Sequence, residues 1–212
     1  LQVCLLDCNR VGQESSWAGG GIVSPLYPWR YNPAVGALAE WSQAFYPGLG
    51  ERLLASTGID PQVYVSGLYW LDLPDEAAAL AWAEREGREL LAPDMAQVRE
   101  HVPALGDGFT RALYMPGVAN VRNPRLVKAL RAELQGLANV RLVEHCAVQG
   151  FLRDEGRICG VATSQGPMAA DQVVLTAGAW SGELLATLGL SLPVEPVKGQ
   201  MILYKCAEDF LP

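Results

Sequence analysis

The stretch VCLLDCNRVGQESSWAGGGI, residues 3–22, decides the fold. It opens with a short apolar run from Val3 to Leu6 that ends at Asp7. A continuous apolar run of this length is typical of a strand covered on both faces, as in a parallel sheet. A polar loop follows, and the three glycines Gly19 to Gly21 then disfavour any regular element. We therefore expect a buried strand followed by a loop whose backbone approaches another group closely.

Asp7 is a candidate ligand for a ribose. An acidic residue at the carboxyl end of the second parallel strand accepts hydrogen bonds from the ribose hydroxyls of a dinucleotide. Many strands end in Asp, so this position alone is weak, and the glycine-rich turn expected about twenty residues upstream would precede Leu1. Because the chain begins within a strand-like run and ends abruptly at Phe210–Pro212, we expect further residues on both sides.

Two small-residue segments can approach a bound group. Ser15 and Ser16 carry hydroxyls that can donate hydrogen bonds to phosphate or ring oxygens, and residues 18–21 let backbone N–H groups lie against a flat ring. An ordinary glycine-rich surface loop is the alternative, because glycine triplets are common in loops. The second segment, Thr176 to Ala179, lies between a predicted strand, Val173–Leu175, and a predicted helix, Trp180–Leu188.

The rest of the chain alternates between strand and helix patterns. Helices are predicted to start at Asn32-Pro33, with a stop at Gly58, and at Asn123-Pro124. Two more are predicted to span Asp75–Glu86 and Asp94–His101. Strands are predicted at Val63–Leu73, Ala112–Met115, Val140–Val143, Ala147–Arg153, Arg157–Ser164 and Met168–Asp171. The turn sequence Asp154-Glu155-Gly156 joins two of these strands into a hairpin, so that the last three form a meander.

The first of these helices has an apolar pattern that predicts one buried face. Its members fall at three- and four-residue steps: Leu38, Trp41, Phe45, Leu49 and Leu53. Across the whole chain we expect an α/β fold in two domains. Residues 1–30 and 120–190 would form a parallel-sheet domain with the meander as a crossover, and residues 31–119 and 191–212 a second, mixed α+β domain.

Together these segments resemble the FAD domain of the D-amino-acid oxidase superfamily of FAD-dependent oxidoreductases, and within it the ThiO-type glycine oxidases of thiamine biosynthesis. The residues that carry the resemblance are Asp7, Ser15-Ser16-x-Ala18-Gly19-Gly20-Gly21, the meander and Thr176-Ala177-Gly178-Ala179-Trp180. Pro196–Met201 also resembles the strand that enters the substrate domain of that family. The resemblance implies a Rossmann-like, FAD-binding parallel sheet with a three-stranded β-meander crossover and a second α+β substrate domain.

The resemblance further implies which residues bind FAD. They are Asp7, Cys8, Ser15, Ser16, Ala18, Gly19, Gly20, Gly21, Ile22, Val148, Ala177 and Gly178. Asp7 would bind the adenosine ribose with Cys8 alongside, and Ser15 and Ser16 would contact the pyrophosphate or nearby flavin groups. Gly20, Gly21 and Ile22 would line the isoalloxazine, with Ile22 near the substrate. The Val148 backbone would hold the adenine, and Ala177 and Gly178 would pack against the cofactor.

The sequence departs from the family pattern in two ways. The family usually has Glu at the position of Asp7 and Lys or Arg at the position of Cys8, but a shorter acid still accepts hydrogen bonds from a ribose. The arginine that binds the substrate carboxylate in this family would lie after Pro212. No catalytic side chain and no metal ligand is therefore assigned in this chain.

The implied activity is the oxidation of a small amino acid or amine, such as glycine, sarcosine or a D-amino acid. Hydride would pass to the flavin, an imino acid would form, and molecular oxygen would yield peroxide. One alternative is an FAD-dependent dehydrogenase that passes electrons to a carrier. Another is a non-catalytic fragment or binding module unable to hold FAD. A nicotinamide-dependent dehydrogenase, which needs neither the glycine triplet nor the meander, ranks behind these.

The amino-acid composition of the chain limits the kinds of partner that it is expected to bind. The net charge of −7, without a cluster of Lys and Arg, argues against nucleic acid as a partner. No apolar run approaches the ~20 residues that span a bilayer. The five cysteines (Cys4, Cys8, Cys146, Cys159 and Cys206) lack metal-site spacing and are expected to be buried thiols of a cytoplasmic protein. A homo-oligomer is possible on the family resemblance.

Overall fold

The computed structural model describes residues 1–205, which form a mixture of helices and strands. The α-helices are α1 Ser15–Ala18, α2 Pro33–Thr57, α3 Glu76–Arg85, α4 Met95–His101, α5 Asn123–Gly136 and α6 Ser181–Ala186. The strands are β1 Val3–Leu6, β2 Ile22–Val23, β3 Val63–Val65, β4 Leu68–Leu71, β5 Ala112–Met115, β6 Ala119–Val121, β7 Val140–Val143, β8 Val148–Asp154, β9 Arg157–Thr163 and β10 Gly166–Ala169. Two short 3-10 turns cover Pro28–Arg30 and Gly178–Trp180.

The chain divides into two compact units. The first contains residues 1–18 and 130–201, and the second contains residues 19–129 together with residues 202–205. The predicted boundaries at residues 31, 120 and 191 describe a division by function, between cofactor and substrate, and stay a prediction.

The first unit has a parallel strand pair and an antiparallel meander. β1 pairs with β7 in parallel, from Val3 opposite Val140 to Leu6 opposite Val143. β8, β9 and β10 form an antiparallel sheet in the order β10-β9-β8. The β8–β9 turn has positive φ at Glu155 and Gly156, 45° and 83°, which matches the twist of a tight hairpin. The predicted parallel strands and the three-stranded meander are confirmed.

Two predicted strands are absent from the described residues. Val173–Leu175 lies outside any strand, and Val174 is 82% exposed. Pro196–Met201 likewise forms no strand, and Val197 is 91% exposed. A strand exists only where a neighbouring strand pairs with its backbone, and within residues 1–205 no strand pairs with either segment. Val173–Leu175 is apolar, as a buried strand would be, but apolar composition does not specify a neighbouring strand with which to pair.

The second unit contains two antiparallel sheets, one in the order β2-β6-β3 and one formed by β4 and β5. The predicted strand Val63–Leu73 is wrong as a single element, because it breaks between β3 and β4. At the break Gly67 has a φ of +74° and its N–H donates to the Val118 carbonyl. The chain thereby passes from one sheet to the other. The core beside β4 and β5 contains Trp70, Ala79, Leu113, Met115 and Val118.

Helix α2 is bounded by the residues that the sequence indicates. The Asn32 side chain accepts a hydrogen bond from the Ala34 N–H at 2.9 Å, and Pro33 occupies the first helical position. Gly58 ends the helix in the left-handed conformation, with φ +69°. Pro47 lies inside the helix without ending it.

The predicted buried face of α2 is wrong for the N-terminal half of the helix. Leu49 and Leu53 are buried, but Leu38 and Trp41 are 69% and 66% exposed. Phe45 is also exposed and stacks on Trp41 at 5.3 Å between ring centroids. The described residues therefore cover only the C-terminal half of the apolar stripe, because periodicity marks a face but does not specify what packs on it.

The prediction of buried thiols is also wrong for most cysteines. Cys146 is buried, whereas Cys4, Cys8 and Cys159 are exposed, and all four are free thiols. Cys206 lies outside the described residues. Within residues 1–205, no helix combines the length and apolarity required to cross a bilayer.

Gly21 is a position where the fold requires glycine. It immediately precedes β2, has a φ of +75°, and accepts a hydrogen bond from the Val121 N–H at 2.8 Å. A Cβ added at Gly21 would overlap the Val121 carbonyl oxygen. Both the backbone conformation and the contact with β6 therefore exclude a side chain.

We expect Gly21→Ala to lower the free energy of unfolding by about 1–3 kcal/mol, since it combines a strained φ with a backbone overlap. Gly48→Ala is the matched control, because Gly48 lies within α2 and a Cβ there would meet no atom within 4 Å. The control is expected to raise stability by about 0.5–1 kcal/mol, as Ala replaces Gly inside a helix. Urea denaturation measures both changes, and a neutral or stabilising Gly21→Ala would contradict this assignment.

Candidate functional site

Asp7 lies at the carboxyl edge of the parallel strand pair. It directly follows β1, its side chain is half-buried, and its N–H donates to the Val143 carbonyl at 3.0 Å. One carboxylate oxygen, Oδ1, accepts a hydrogen bond from the Asn9 N–H at 2.9 Å. The other oxygen, Oδ2, has no hydrogen-bond partner within residues 1–205. Asp7 is therefore held in place through one oxygen while the other can accept from a ligand.

The loop after Asp7 is fixed by a residue that the sequence reasoning missed. The Val11 N–H donates to Glu144 Oε1 at 3.0 Å, and Glu144 Oε2 accepts from Arg131 Nη2 at 2.7 Å. Glu144 directly follows β7, so it lies at the same carboxyl edge as Asp7. The same rule that selected Asp7, an acid at the end of a parallel strand, would have selected Glu144.

Ser15 and Ser16 begin the short helix α1, and both are exposed. Neither hydroxyl forms a hydrogen bond with another described residue, so both can donate to a ligand. Glu14 directly precedes α1, and its carbonyl accepts from the N–H groups of Trp17 and Ala18. Glu14 in turn accepts from the Asn9 side chain at 2.8 Å, which closes the loop between Asp7 and the two serines.

The structure brings the segment before Val148 against the tip of β1. The Cys146 N–H donates to the Asp7 carbonyl at 2.8 Å, and the His145 N–H donates to the Asn9 carbonyl at 3.0 Å. Val148 begins β8 two residues later, opposite Thr163 of β9. Cys8, between Asp7 and Asn9, is exposed.

Ala177 and Gly178 lie where the chain enters the 3-10 turn before α6. The Ala177 carbonyl accepts from the Trp180 N–H at 3.0 Å, and Gly178 has a φ of +54°. The hydrogen bonds described for this pair are local to the turn, so they do not connect it to Asp7.

The glycine stretch belongs to the second unit, where it lines an open cavity of about 530 Å³. Gly19, Gly20, Gly21 and Ile22 form one wall, and Ile22 is 46% exposed. Helix α2 supplies a polar wall that the sequence reasoning missed, formed by Ser42, Gln43 and Tyr46. These three side chains are half-buried and form no hydrogen bonds within the described residues. Their spacing on one helix face, within an otherwise apolar segment, was the available clue.

Shifted pKa values in the second unit belong to structural contacts. The Arg30 guanidinium and the Trp29 indole donate to Asp75 and hold the pKa of its carboxyl well below the usual range. Hydrogen bonds from Thr110 likewise lower the pKa of Asp72. These carboxylates do not line the cavity, and they join turns to neighbouring elements.

Comparison with known proteins gives consistent matches. The model of the FAD dependent oxidoreductase (DAO) family matches residues 1–211. Glycine oxidase from Pseudomonas putida is 69% identical over 211 residues, covering all of this chain and 58% of that protein. Glycine oxidase from Pseudomonas aeruginosa is 62% identical over 212 residues, with the same coverage. The crystal structure of glycine oxidase from Geobacillus kaustophilus has a TM-score of 0.79 at 29% identity, covering 90% of this chain and 52% of that one.

These matches confirm the family resemblance, the mixed α/β fold and FAD as the cofactor of the family. The chain spans 58% of the length of each of the two Pseudomonas glycine oxidases. The family model nevertheless covers almost every residue present, and the solved structures share the fold over most of the chain. The chain therefore belongs to the family of FAD-dependent oxidoreductases that includes the glycine oxidases.

Proposed function

We propose that the protein containing this chain oxidises a small amino acid or amine to an imino acid, with hydride transfer to FAD and release of hydrogen peroxide. The observation that carries this proposal is the 69% identity to a glycine oxidase over the full length of the chain. Glycine, sarcosine and D-amino acids are the proposed substrate class, and molecular oxygen is the proposed electron acceptor. A cytoplasmic location, a homo-oligomeric state and a role in thiamine biosynthesis stay predictions.

The first unit has groups that fit the nucleotide half of FAD. The free Oδ2 of Asp7 suits a ribose hydroxyl, because it lies at the carboxyl end of a parallel strand. The unpartnered hydroxyls of Ser15 and Ser16 suit the pyrophosphate or nearby flavin groups. We propose that the Val148 backbone contacts the adenine, that Ala177 and Gly178 pack against the cofactor, and that Cys8 lies beside the ribose.

The second unit has groups that fit a flat ring. Residues 19–21 have no side chain, so their backbone can lie against the flavin, while Gly21 is held by its hydrogen bond from Val121 of β6. Ile22 is proposed to border the substrate, and Ala18 precedes this stretch. When bound, FAD supplies the hydride acceptor. The residues of this chain bind and orient it, and none of them is proposed to move a proton.

This assignment divides the chain into a part that binds the cofactor and a part that contributes to the substrate domain. We propose that residues 1–30 and 120–190 form the FAD-binding domain and that residues 31–119 and 191–212 contribute to the substrate domain. An FAD-dependent dehydrogenase would use the same division and would differ only in its electron acceptor.

The full-length protein tests the proposed activity. It should show flavin absorbance bands as purified, and anaerobic addition of glycine, sarcosine or D-alanine should bleach them. Readmission of oxygen should then restore the bands and release peroxide. A bleached flavin that oxygen does not reoxidise but an artificial electron acceptor does would indicate a dehydrogenase. A colourless full-length protein that does not take up added FAD would contradict the proposal.

The role of Asp7 gives a second prediction. Asp7→Ala removes an acceptor for a ribose hydroxyl, and a hydrogen bond to a charged group is worth enough to raise the dissociation constant for FAD by about 10–100-fold. Asp7→Glu should restore affinity to within a few-fold of the original, because it retains the carboxylate. Asp154→Ala, at an exposed acid of the same unit, is the control. Flavin fluorescence titration of the apoprotein measures all three, and equal constants for Asp7→Ala and Asp154→Ala would refute the role.

A further inference from the structure

We propose that Glu144 and Arg131 are positioning residues for nucleotide recognition: they hold the loop of residues 9–14 so that Asp7 and the two serines stand at the separation that the nucleotide requires. This inference rests on the proposed function, because it names how the FAD site of this chain is kept in shape. The pair contacts no group assigned to the ligand.

Glu144 joins the loop after β1 to the end of β7 and to helix α5. It follows β7, its Oε1 accepts from the Val11 N–H in the middle of the loop, and its Oε2 accepts from Arg131 of α5. Glu144 and Arg131 side chains are only 20% and 24% exposed, so water screens the contact poorly. One carboxylate therefore ties the loop to both the parallel sheet and the helix.

Arg131 makes the position of Glu144 hard to change. Its Nε is buried and has no hydrogen-bond partner within the described residues. The partly buried guanidinium therefore depends on Glu144 for its compensation, and a rotation of Glu144 into solvent would leave an unpaired cation in a poorly hydrated place. The ion pair thus keeps the Glu144 carboxylate aimed at the Val11 N–H.

The loop has little else to fix its centre. Its beginning is held by the Asn9 N–H on Asp7 and by the His145 N–H on the Asn9 carbonyl. Its remaining contacts are local: Gln13 N–H to the Arg10 carbonyl, and the Asn9 side chain to Glu14. Among the described residues, the bond from Val11 to Glu144 is the side-chain anchor that links this loop to a segment distant in sequence, 133 residues away.

Fixing the loop matters because it connects the proposed ribose ligand to the proposed pyrophosphate ligands. A ligand that contacts both ends binds more tightly when the two ends are already in place before binding, because less conformational entropy is lost. Removal of the anchor should therefore weaken binding of the nucleotide without altering the environment of a flavin that is bound.

Two substitutions of Glu144 separate the charge from the hydrogen bond. Glu144→Gln keeps an acceptor for the Val11 N–H but loses the ion pair, and Glu144→Met removes both. Glu86→Gln is the matched control, because Glu86 forms an exposed ion pair with Arg85 in the second unit. An exposed pair of this kind contributes little.

The experiment uses the full-length apoprotein, titrated with FAD by flavin fluorescence and with ADP as a competitor. We expect Glu144→Met to raise the dissociation constants for FAD and ADP by about 10-fold or more, Glu144→Gln by a smaller factor, and Glu86→Gln by less than about 2-fold. The visible spectrum of the FAD-saturated variants should match that of the unmodified protein. If Glu144→Met fails to fold, Glu144→Gln and Arg131→Lys test the inference instead. Each should weaken the binding of FAD and ADP by a smaller factor than is expected for Glu144→Met.

Three outcomes count against the inference. Unchanged FAD and ADP constants with a lower melting temperature of the apoprotein would show that the pair is structural only. An altered visible spectrum at saturation would place its effect at the flavin ring and not at the nucleotide. An unmodified full-length protein that binds no FAD would overturn the proposed function and this inference together, whereas either of the first two outcomes overturns the inference alone.

Discussion

The parallel pairing of β1 with β7 is the constraint on which the rest of the first unit depends. Parallel strands end at the same edge, so the register from Val3–Val140 to Leu6–Val143 places Asp7 and Glu144 side by side in the sheet. Asp7 then has one oxygen engaged and one available, while Glu144 faces the loop and Arg131. A shift of either strand by one residue would turn the acid of that strand to the opposite face and would break this arrangement.

A different constraint shapes the second unit, where backbone must approach backbone. Gly21 lies against the Val121 carbonyl oxygen of β6, and its φ of +75° would strain any residue that carries a side chain. Together with Gly19 and Gly20, Gly21 leaves the backbone before β2 without side chains, which is a surface suited to a planar ligand. Helix α2 faces the same cavity with polar side chains whose hydrogen-bonding groups are unused within the described residues.

Local chemistry allowed much of this structure to be predicted from sequence. The Asn32-Pro33 helix start, the Gly58 stop and the Glu155-Gly156 turn each depend on a few neighbouring residues, and all three were found as expected. The predictions of a strand at Val173–Leu175 and of burial for the N-terminal half of the α2 stripe were wrong, because both depend on what lies beside these residues in space. The break at Gly67 was missed for the same reason, since the two flanking strands pair with different partners.

The residues of the candidate site could be predicted from the sequence to a similar extent. Asp7 and the glycine stretch could be proposed because their residue types carry a chemical meaning at a strand end. Glu144 satisfies the same strand-end rule but was not selected. The roles of Arg131 and of the polar wall of α2 come from contacts in space, which residue type alone does not specify. Arg131 in particular lies in α5, where its residue type alone predicts a solvated side chain, whereas the structure shows a guanidinium that is only 24% exposed and paired with Glu144.

The most direct measurement of the central claim is a crystal structure of the full-length protein grown with FAD. The account predicts that a ribose hydroxyl lies within hydrogen-bond distance of Asp7 Oδ2 and that the Val11 N–H still donates to Glu144. A ribose bound away from the carboxyl edge of β1 and β7, with Asp7 facing only water, would contradict it.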